Sequence, residues 1–265
     1  MIATSSEGPI VFPQVVTEIA AGRPIRLVWK NDVGGLTFQV GEGPGRQFVK
    51  WTPLGSGIDL SAEVARLRWA AAFTAVPHVF DEGTEDAGSW FATAGLHGRM
   101  AVDEHWKRDP DTAVRAIGAG LRAMHDALPV DSCPFDWSAE ARLEAVQARA
   151  AAGQIDPADW HADLQYVGTP ERALEVLADT PSVDQLVVCH GDACAPNTLI
   201  GDDGMCSGHV DLGALGLADR WADLAIATWS TQWNYGPGWE QTLLDAYGVK
   251  ADPARTAYYR LLYGI

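Results

Sequence analysis

No apolar run in this sequence approaches the roughly 20 residues that a bilayer-spanning helix needs. The opening stretch MIATSSEGPIVFPQVV also lacks the basic n-region and sustained apolar core of a secretory signal. A soluble, cytoplasmic protein without a membrane partner is therefore expected. Cysteine is scarce, with Cys133, Cys189, Cys194 and Cys206 the four in the chain. In that compartment they should be reduced thiols rather than a disulfide frame. The cluster Cys189, His190, Cys194, Cys206 and His209 contains no C-x-x-C knuckle, which argues against zinc. Positive charge is in short supply too. Nineteen Lys and Arg face 35 Asp and Glu, for a formal net charge of −16. Such a balance repels nucleic acid and anionic membrane, and leaves a cationic small-molecule partner or plain solubility. No internal repeat or low-complexity tract is present.

What is present suffices for a packed protein. A chain of 265 residues, 47 % hydrophobic, can build two lobes around a cleft. In the first third, IRLVWK (25–30) and LTFQV (36–40) flank NDVGG, and RQFVKW (46–51) follows the turn GEGPG. That spacing suits an antiparallel meander. LSAEVARLRWAAAF (60–73) reads as a helix capped by Ser61 or Asp59, and VPHVF (76–80) and SWFATAG (89–95) as short strands. From about residue 96 helical patterns take over at 109–128, 138–153 and 169–180, and again in DRWADLAIATWST, WEQTLLDAYG and DPARTAYYRLL. LVVCH (186–190) reads as a buried strand, and TLIGDDGMCSGHVDL as a hairpin turned at Asp-Gly. The expected fold class is α+β, a β-rich lobe with one helix (1–95) followed by a mainly helical lobe (96–265).

The chemistry concentrates in CHGDACAPNTLIGDDGMCSGHVDLGALGLADRWADLA (189–225). Asp192, Asn197 and Asp211 are the residue types that hold Mg²⁺ against a nucleotide and activate a hydroxyl. Magnesium takes one or two hard oxygen ligands from protein and the rest from phosphate and water, a role that fits Asn197 and Asp211. A carboxylate such as Asp192 can orient an attacking alcohol and accept its proton. Any one of the three could merely shape a turn; the set, spaced five and then fourteen residues apart, points to a site.

HGDACAPN and VDLG resemble the H-G-D-x-x-x-x-N loop and the following D-x-G of the aminoglycoside and choline kinase group. With SCPFD (132–136) and GHVDLGALGLADRWADLA, the closer resemblance is to aminoglycoside O-phosphotransferases of the 3′ and 3″ types, over most of the chain. The resemblance implies a bilobal protein-kinase-like fold, with ATP and Mg²⁺ as cofactors and transfer of the γ-phosphate to a hydroxyl. It makes Asp192 the catalytic base and Asn197 and Asp211 the metal ligands. Lys50 then contacts the α- and β-phosphates, and Glu63 pairs with it. The turn 31–35, with Asp32, Gly34 and Gly35, covers the phosphates, and backbone around Thr93 and Gly95 meets adenine. His190 supports the loop by hydrogen bonds rather than doing chemistry.

Departures from the pattern fall where the acceptor should bind. Ala214 replaces the usual Arg after D-x-G, Tyr263 and Gly264 of LLYGI stand at acidic positions, and Trp233 stands where an acid often faces the drug. DPADWHADLQ still offers Asp156, Asp159 and Asp163, with His161 in place of a further acid. Each charge-assisted hydrogen bond to a polyamine is worth about 1.5–3 kcal/mol, so an altered pocket is implied. Asp159, Asp163 and Trp233 are its candidate acceptor contacts, with Trp229, Tyr235 and Trp239 able to add a stacking wall. The leading expectation is phosphorylation of an aminoglycoside-like antibiotic, of the kanamycin/neomycin or streptomycin type, conferring resistance. Alternatives are a metabolic kinase for a sugar, amino sugar or choline-like alcohol, and an inactive nucleotide-binding regulator. Monomer and homodimer both stay open.

Overall fold

A computed structural model describes residues 12–265; the opening stretch examined for a leader lies, through residue 11, outside them. The chain divides into two compact units, Met1–His97 and Gly98–Ile265.

The first unit is built on a five-stranded antiparallel sheet, β1 (Ile25–Lys30), β2 (Leu36–Val40), β3 (Gln47–Pro53), β4 (Val79–Glu85) and β5 (Gly88–Ala94), in the order β1-β2-β3-β5-β4. Alternation puts Phe38, Val40 and Val49 on one face, each fully buried. A helix absent from the sequence reading, α1 (Gln14–Ala20), covers that face with Val15, Val16 and Ala20. Seven residues are too few for a helix to persist alone, so packing holds it. The second helix, α2 (Leu60–Ala70), is capped by Asp59, whose Oδ1 accepts the Ser61 N–H at 2.9 Å. β4 begins at Val79 rather than Val76 and runs on through the exposed acids to Glu85. Pro77 has no N–H to give a ladder, and an edge strand tolerates charge.

The second unit is mainly helical. α3 (Glu104–Lys107) is a short turn before α4 (Pro110–Ala127), which Asp109 caps and whose Ala113, Val114, Ile117, Leu121 and Met124 line a buried stripe at helical spacing. α5 (Ala139–Ala151) and α6 (Pro170–Leu177) lie further along. α7 (Trp221–Tyr235) is buried on every face through Thr231, as a central helix must be. It packs against α8 (Glu240–Tyr247) and α9 (Pro253–Gly264), and α8 also packs on α4. Gly118 permits that last approach, because a Cβ there would lie 2.4 Å from the Leu243 carbonyl oxygen.

Two small sheets carry the loops of interest. β6 (Arg99–Met100), β8 (Thr198–Ile200) and β9 (Cys206–His209) form one; β7 (Leu186–Cys189) and β10 (Gly216–Asp219) pair antiparallel in the other. Asp203 and Gly204 turn the β8–β9 hairpin. Cys189 faces Gly216 in the β7–β10 register. The loop leaving β7 and the loop entering β10 therefore start side by side. No disulfide joins the four cysteines. Among the described residues no helix is long and apolar enough to cross a membrane.

Candidate active site

In the first unit, β3 and α2 bring Lys50 and Glu63 together. Lys50 sits mid-strand, opposite Thr37 and Phe91. Its Nζ lies 2.8 Å from both carboxylate oxygens of Glu63 and 5.9 Å from the centroid of the Phe91 ring. Exposed lysine–carboxylate pairs contribute little, but the Glu63 side chain is only 9 % exposed, against 24 % for Lys50. The ammonium is thus held in one place and still reaches solvent. The β1–β2 turn is shaped by Asn31, whose side-chain Oδ1 accepts the Gly35 N–H at 2.6 Å. Gly34 adopts φ +88°, and a Cβ on Gly35 would fall 2.6 Å from the Asn31 amide nitrogen. Asp32 is exposed within that turn. Thr93 is buried in β5 opposite Phe48, and the Gly95 N–H is already donated to the Arg46 carbonyl at 2.9 Å.

In the second unit, Asp192 and Asn197 come into direct contact. Asn197 Nδ2 donates to the backbone carbonyl of Asp192 at 2.9 Å and to its carboxylate Oδ2 at 3.0 Å. The Tyr263 hydroxyl donates to the other oxygen, Oδ1, at 2.8 Å. The Val210 N–H donates to the Asn197 carbonyl at 2.9 Å, tying the Asp211 segment to this loop. Asp211 itself is exposed and left-handed, φ 65°, one of two non-glycine residues with positive φ among those described. That conformation is costly for a residue with a Cβ and recurs at functional sites.

His190 does brace the loop. Its Nδ1 accepts the Asp192 N–H at 3.3 Å, which leaves the ring proton on Nε2 to donate to the Val210 carbonyl at 3.0 Å. Gly191 cannot carry a side chain, since at φ +84° its Cβ would lie 2.2 Å from the Ala214 carbonyl oxygen.

Beneath the loop lies a buried carboxylate that the sequence reading did not single out. Asp223, near the start of α7, accepts the backbone N–H groups of His190 (2.5 Å) and Gly191 (2.9 Å). His125 of α4 reaches the same carboxylate through Nε2 at 3.0 Å, and its Nδ1 pairs with the Tyr247 hydroxyl at 2.8 Å. Burial opposes the Asp223 charge, but the hydrogen bond and charge of His125, with His190 and the Gly191 N–H, hold its carboxyl below the usual range. His209 beside the loop is also lowered, from its ordinary basicity down to about 3, by burial first and then by His190 and His125.

Two of the three candidate acceptor residues, Asp163 and Trp233, gather at α7, and Asp159 does not. Asp163 Oδ2 accepts the Trp229 indole N–H at 2.8 Å. The His161 ring meets Trp229 edge-on, with centroids 4.7 Å apart, and lies tilted 5.3 Å from Trp233; the two indole rings are 4.9 Å apart. Trp229 is fully buried, whereas Trp233 is 37 % exposed and presents an open aromatic surface. Asp159, with Asp156, Arg149, Gln154, Trp160 and Tyr263, lines a separate cavity of about 240 Å³.

The donor set fits Mg²⁺. Asn197 and Asp211 offer hard oxygens, and Asn197, with its Nδ2 spent on Asp192, has Oδ1 left as the ligating atom.

An antiparallel sheet carrying a lysine–glutamate pair, followed by a helical unit whose loop joins Asp to Asn, defines an α+β enzyme of the protein-kinase-like class. The phosphotransferase enzyme family matches residues 29–259, and the chain belongs to it: it is a transferase of the kinase kind. Aminoglycoside 3'-phosphotransferase of Streptomyces fradiae is 32 % identical over 248 residues, 88 % of this chain and 91 % of that protein. The crystal structure of an aminoglycoside-3'-phosphotransferase of type VIII superposes with TM-score 0.78 at 30 % identity, covering 91 % of this chain and 93 % of that one. Aminoglycoside phosphotransferase APH(3'')-Id from Streptomyces rimosus, in complex with ADP and streptomycin, gives TM-score 0.71 at 26 % identity over 94 % and 96 %.

Proposed function

We propose that this enzyme transfers the γ-phosphate of ATP, with Mg²⁺, to a hydroxyl of an aminoglycoside-like antibiotic and so confers resistance on its host. The observation that carries the proposal is the twin contact of Asn197 on Asp192, which fixes a carboxylate and leaves the amide oxygen as the atom that would hold a metal. Aminoglycoside phosphotransferases among its relatives support the acceptor class.

Asp192 accepts a hydrogen bond from the acceptor hydroxyl and takes its proton as the oxygen–phosphorus bond forms. The bond from that phosphorus to the bridging oxygen breaks, and ADP leaves with the electron pair. Lys50, steadied by Glu63, sets its ammonium on the α- and β-phosphate oxygens. The glycine-turned segment 31–35, with Asp32, Gly34 and Gly35, offers backbone N–H groups to phosphate, and backbone near Thr93 and Gly95 meets adenine. Asn197 and Asp211 would hold Mg²⁺, which would supply positive charge against the phosphate oxygens. Asp159, Asp163 and Trp233 contact the acceptor. Positioning and charge neutralisation supply most of the rate.

One observation favours a second acceptor class. Asp163 already spends an oxygen on Trp229, which lowers the pocket's capacity for a polyamine and fits a sugar, amino sugar or choline-like alcohol. Incubation with ATP, Mg²⁺ and streptomycin, kanamycin and neomycin classes, alongside those alcohols, separates the two. Release of ADP and one added phosphate on an aminoglycoside is expected; turnover confined to a common metabolite would replace the antibiotic reading. ATP binding without turnover on any acceptor would make the chain a regulator.

A further inference from the structure

Tyr263 lies in the last turn of α9, 71 residues from Asp192, yet its hydroxyl meets Asp192 Oδ1 at 2.8 Å while Asn197 takes Oδ2. The carboxylate is thereby gripped at both oxygens by side chains from separate parts of the chain. An ionised carboxylate only accepts, and has about four lone-pair positions. The phenol proton therefore goes to Asp192, and each carboxylate oxygen retains a position for a further donor such as an acceptor hydroxyl.

The direction of the network is set behind Tyr263 as well. Cys194 Sγ lies 3.5 Å from the phenol oxygen. Having given its proton to Asp192, that oxygen can accept from the thiol, and the order runs Cys194, Tyr263, Asp192. Burial first, then neighbouring charge that includes Asp192, pushes both the thiol and the phenol well above their ordinary values, so both remain protonated donors. The helix end is also pinned: Gly264 packs so closely on Leu164 that a Cβ would lie 2.3 Å from its Cδ1.

We propose that Tyr263 is a positioning residue for phosphoryl transfer, its hydroxyl fixing the orientation in which Asp192 receives the acceptor hydroxyl. This rests on Asp192 being the base of the reaction proposed above. A carboxylate held at one oxygen alone can turn about its terminal torsion, and misplacement by about 1 Å can cost on the order of a hundredfold in rate. Tyr263→Phe keeps the ring and removes only the hydroxyl, and Cys194→Ala removes the thiol behind it, which also reaches Asp192 and Ser230.

The test measures kcat, KM for ATP and melting temperature for both variants. The acceptor is whichever of streptomycin, kanamycin and neomycin the wild type turns over fastest. For Tyr263→Phe, kcat is expected to fall about tenfold or more, with KM for ATP and melting temperature unchanged. Cys194→Ala is expected to lose less, about two- to threefold. A Tyr263→Phe enzyme with kcat within about twofold of wild type would overturn the proposal. So would a loss that travels with a raised KM for ATP or a lowered melting temperature, which marks a structural role. A wild type inactive on all three acceptors and on the alternative alcohols overturns the phosphotransfer reading, and this proposal with it. An active wild type with an indifferent Tyr263→Phe overturns this proposal alone.

Discussion

Asn197 holds Asp192 twice, at the backbone carbonyl and at the carboxylate, through one amide nitrogen. Five residues of chain, closed by a single 3₁₀ turn at Ala195–Asn197, suffice to bring the amide back onto the acid. Asn197→Ala is expected to cut turnover about a hundredfold and to raise the Mg²⁺ concentration needed for half-maximal rate. A magnesium titration of the variant checks this; unchanged rate and unchanged metal requirement would remove Asn197 from the ligand set.

The Lys50–Glu63 pair makes a prediction about nucleotide alone. Lys50 stays on β3 when the Glu63 carboxylate becomes an amide, but its two 2.8 Å charge-assisted contacts are reduced to one neutral acceptor at most. Lys50→Ala is expected to raise KM for ATP by about ten- to a hundredfold, and Glu63→Gln by less, since charge-assisted contacts are worth about 1.5–3 kcal/mol. KM for the acceptor is expected to stay unchanged. Steady-state kinetics with each substrate varied in turn supplies the comparison.

Asp223 is a matter of stability. It is wholly buried, accepts two backbone N–H groups and faces His125. Asp223→Ala leaves those donors unsatisfied and is expected to cost about 3–5 kcal/mol, read as a fall of about 10 °C or more in melting temperature. Asp223→Asn, which keeps one acceptor oxygen, is expected to lose less. Its folded pKa lies below that of an unfolded Asp, about 3.9. The unfolded chain therefore takes up the proton first as pH falls. The contribution of Asp223 is complete above that unfolded value and disappears as pH drops through the lower, folded one. Melting curves from pH 7 down to pH 3, compared between wild type and Asp223→Asn, test the sign.

At the aromatic edge of α7, Trp233→Ala removes the exposed ring and spares the buried Trp229. KM for a cationic acceptor is expected to rise about two- to thirtyfold, the range of a cation–π contact, with KM for ATP unmoved. Equal effects on both substrates would assign Trp233 to packing.

What the sequence reveals here depends on how far apart the partners are. Asp192 and Asn197 are neighbours in the chain, so their residue types and spacing announce the loop, and the helix read at 109–128 appears as Pro110–Ala127 because its caps and apolar stripe are local signals. Asp223 and Tyr263 reach the loop across 33 and 71 residues, and His125 reaches Asp223 across 98. No period or spacing exposes such contacts; the nearest signal was Tyr263 standing where an acid was expected. α1 escaped notice because seven residues carry too little pattern, and its existence depends on the sheet face it covers. The early start assigned to β4 came from counting apolar residues across Pro77, whose missing N–H forbids pairing.

Asp192 itself carries the central claim. Purified wild type and Asp192→Ala are incubated with ATP, Mg²⁺ and the aminoglycoside panel, the products weighed by mass spectrometry, and ATP binding measured in parallel. Wild type is expected to add one phosphate, and Asp192→Ala to add none while binding ATP as before. An Asp192→Ala enzyme that phosphorylates the same acceptor within about tenfold of the wild-type rate, less than the 10²–10⁴-fold a positioned base contributes, would contradict the role given to this carboxylate.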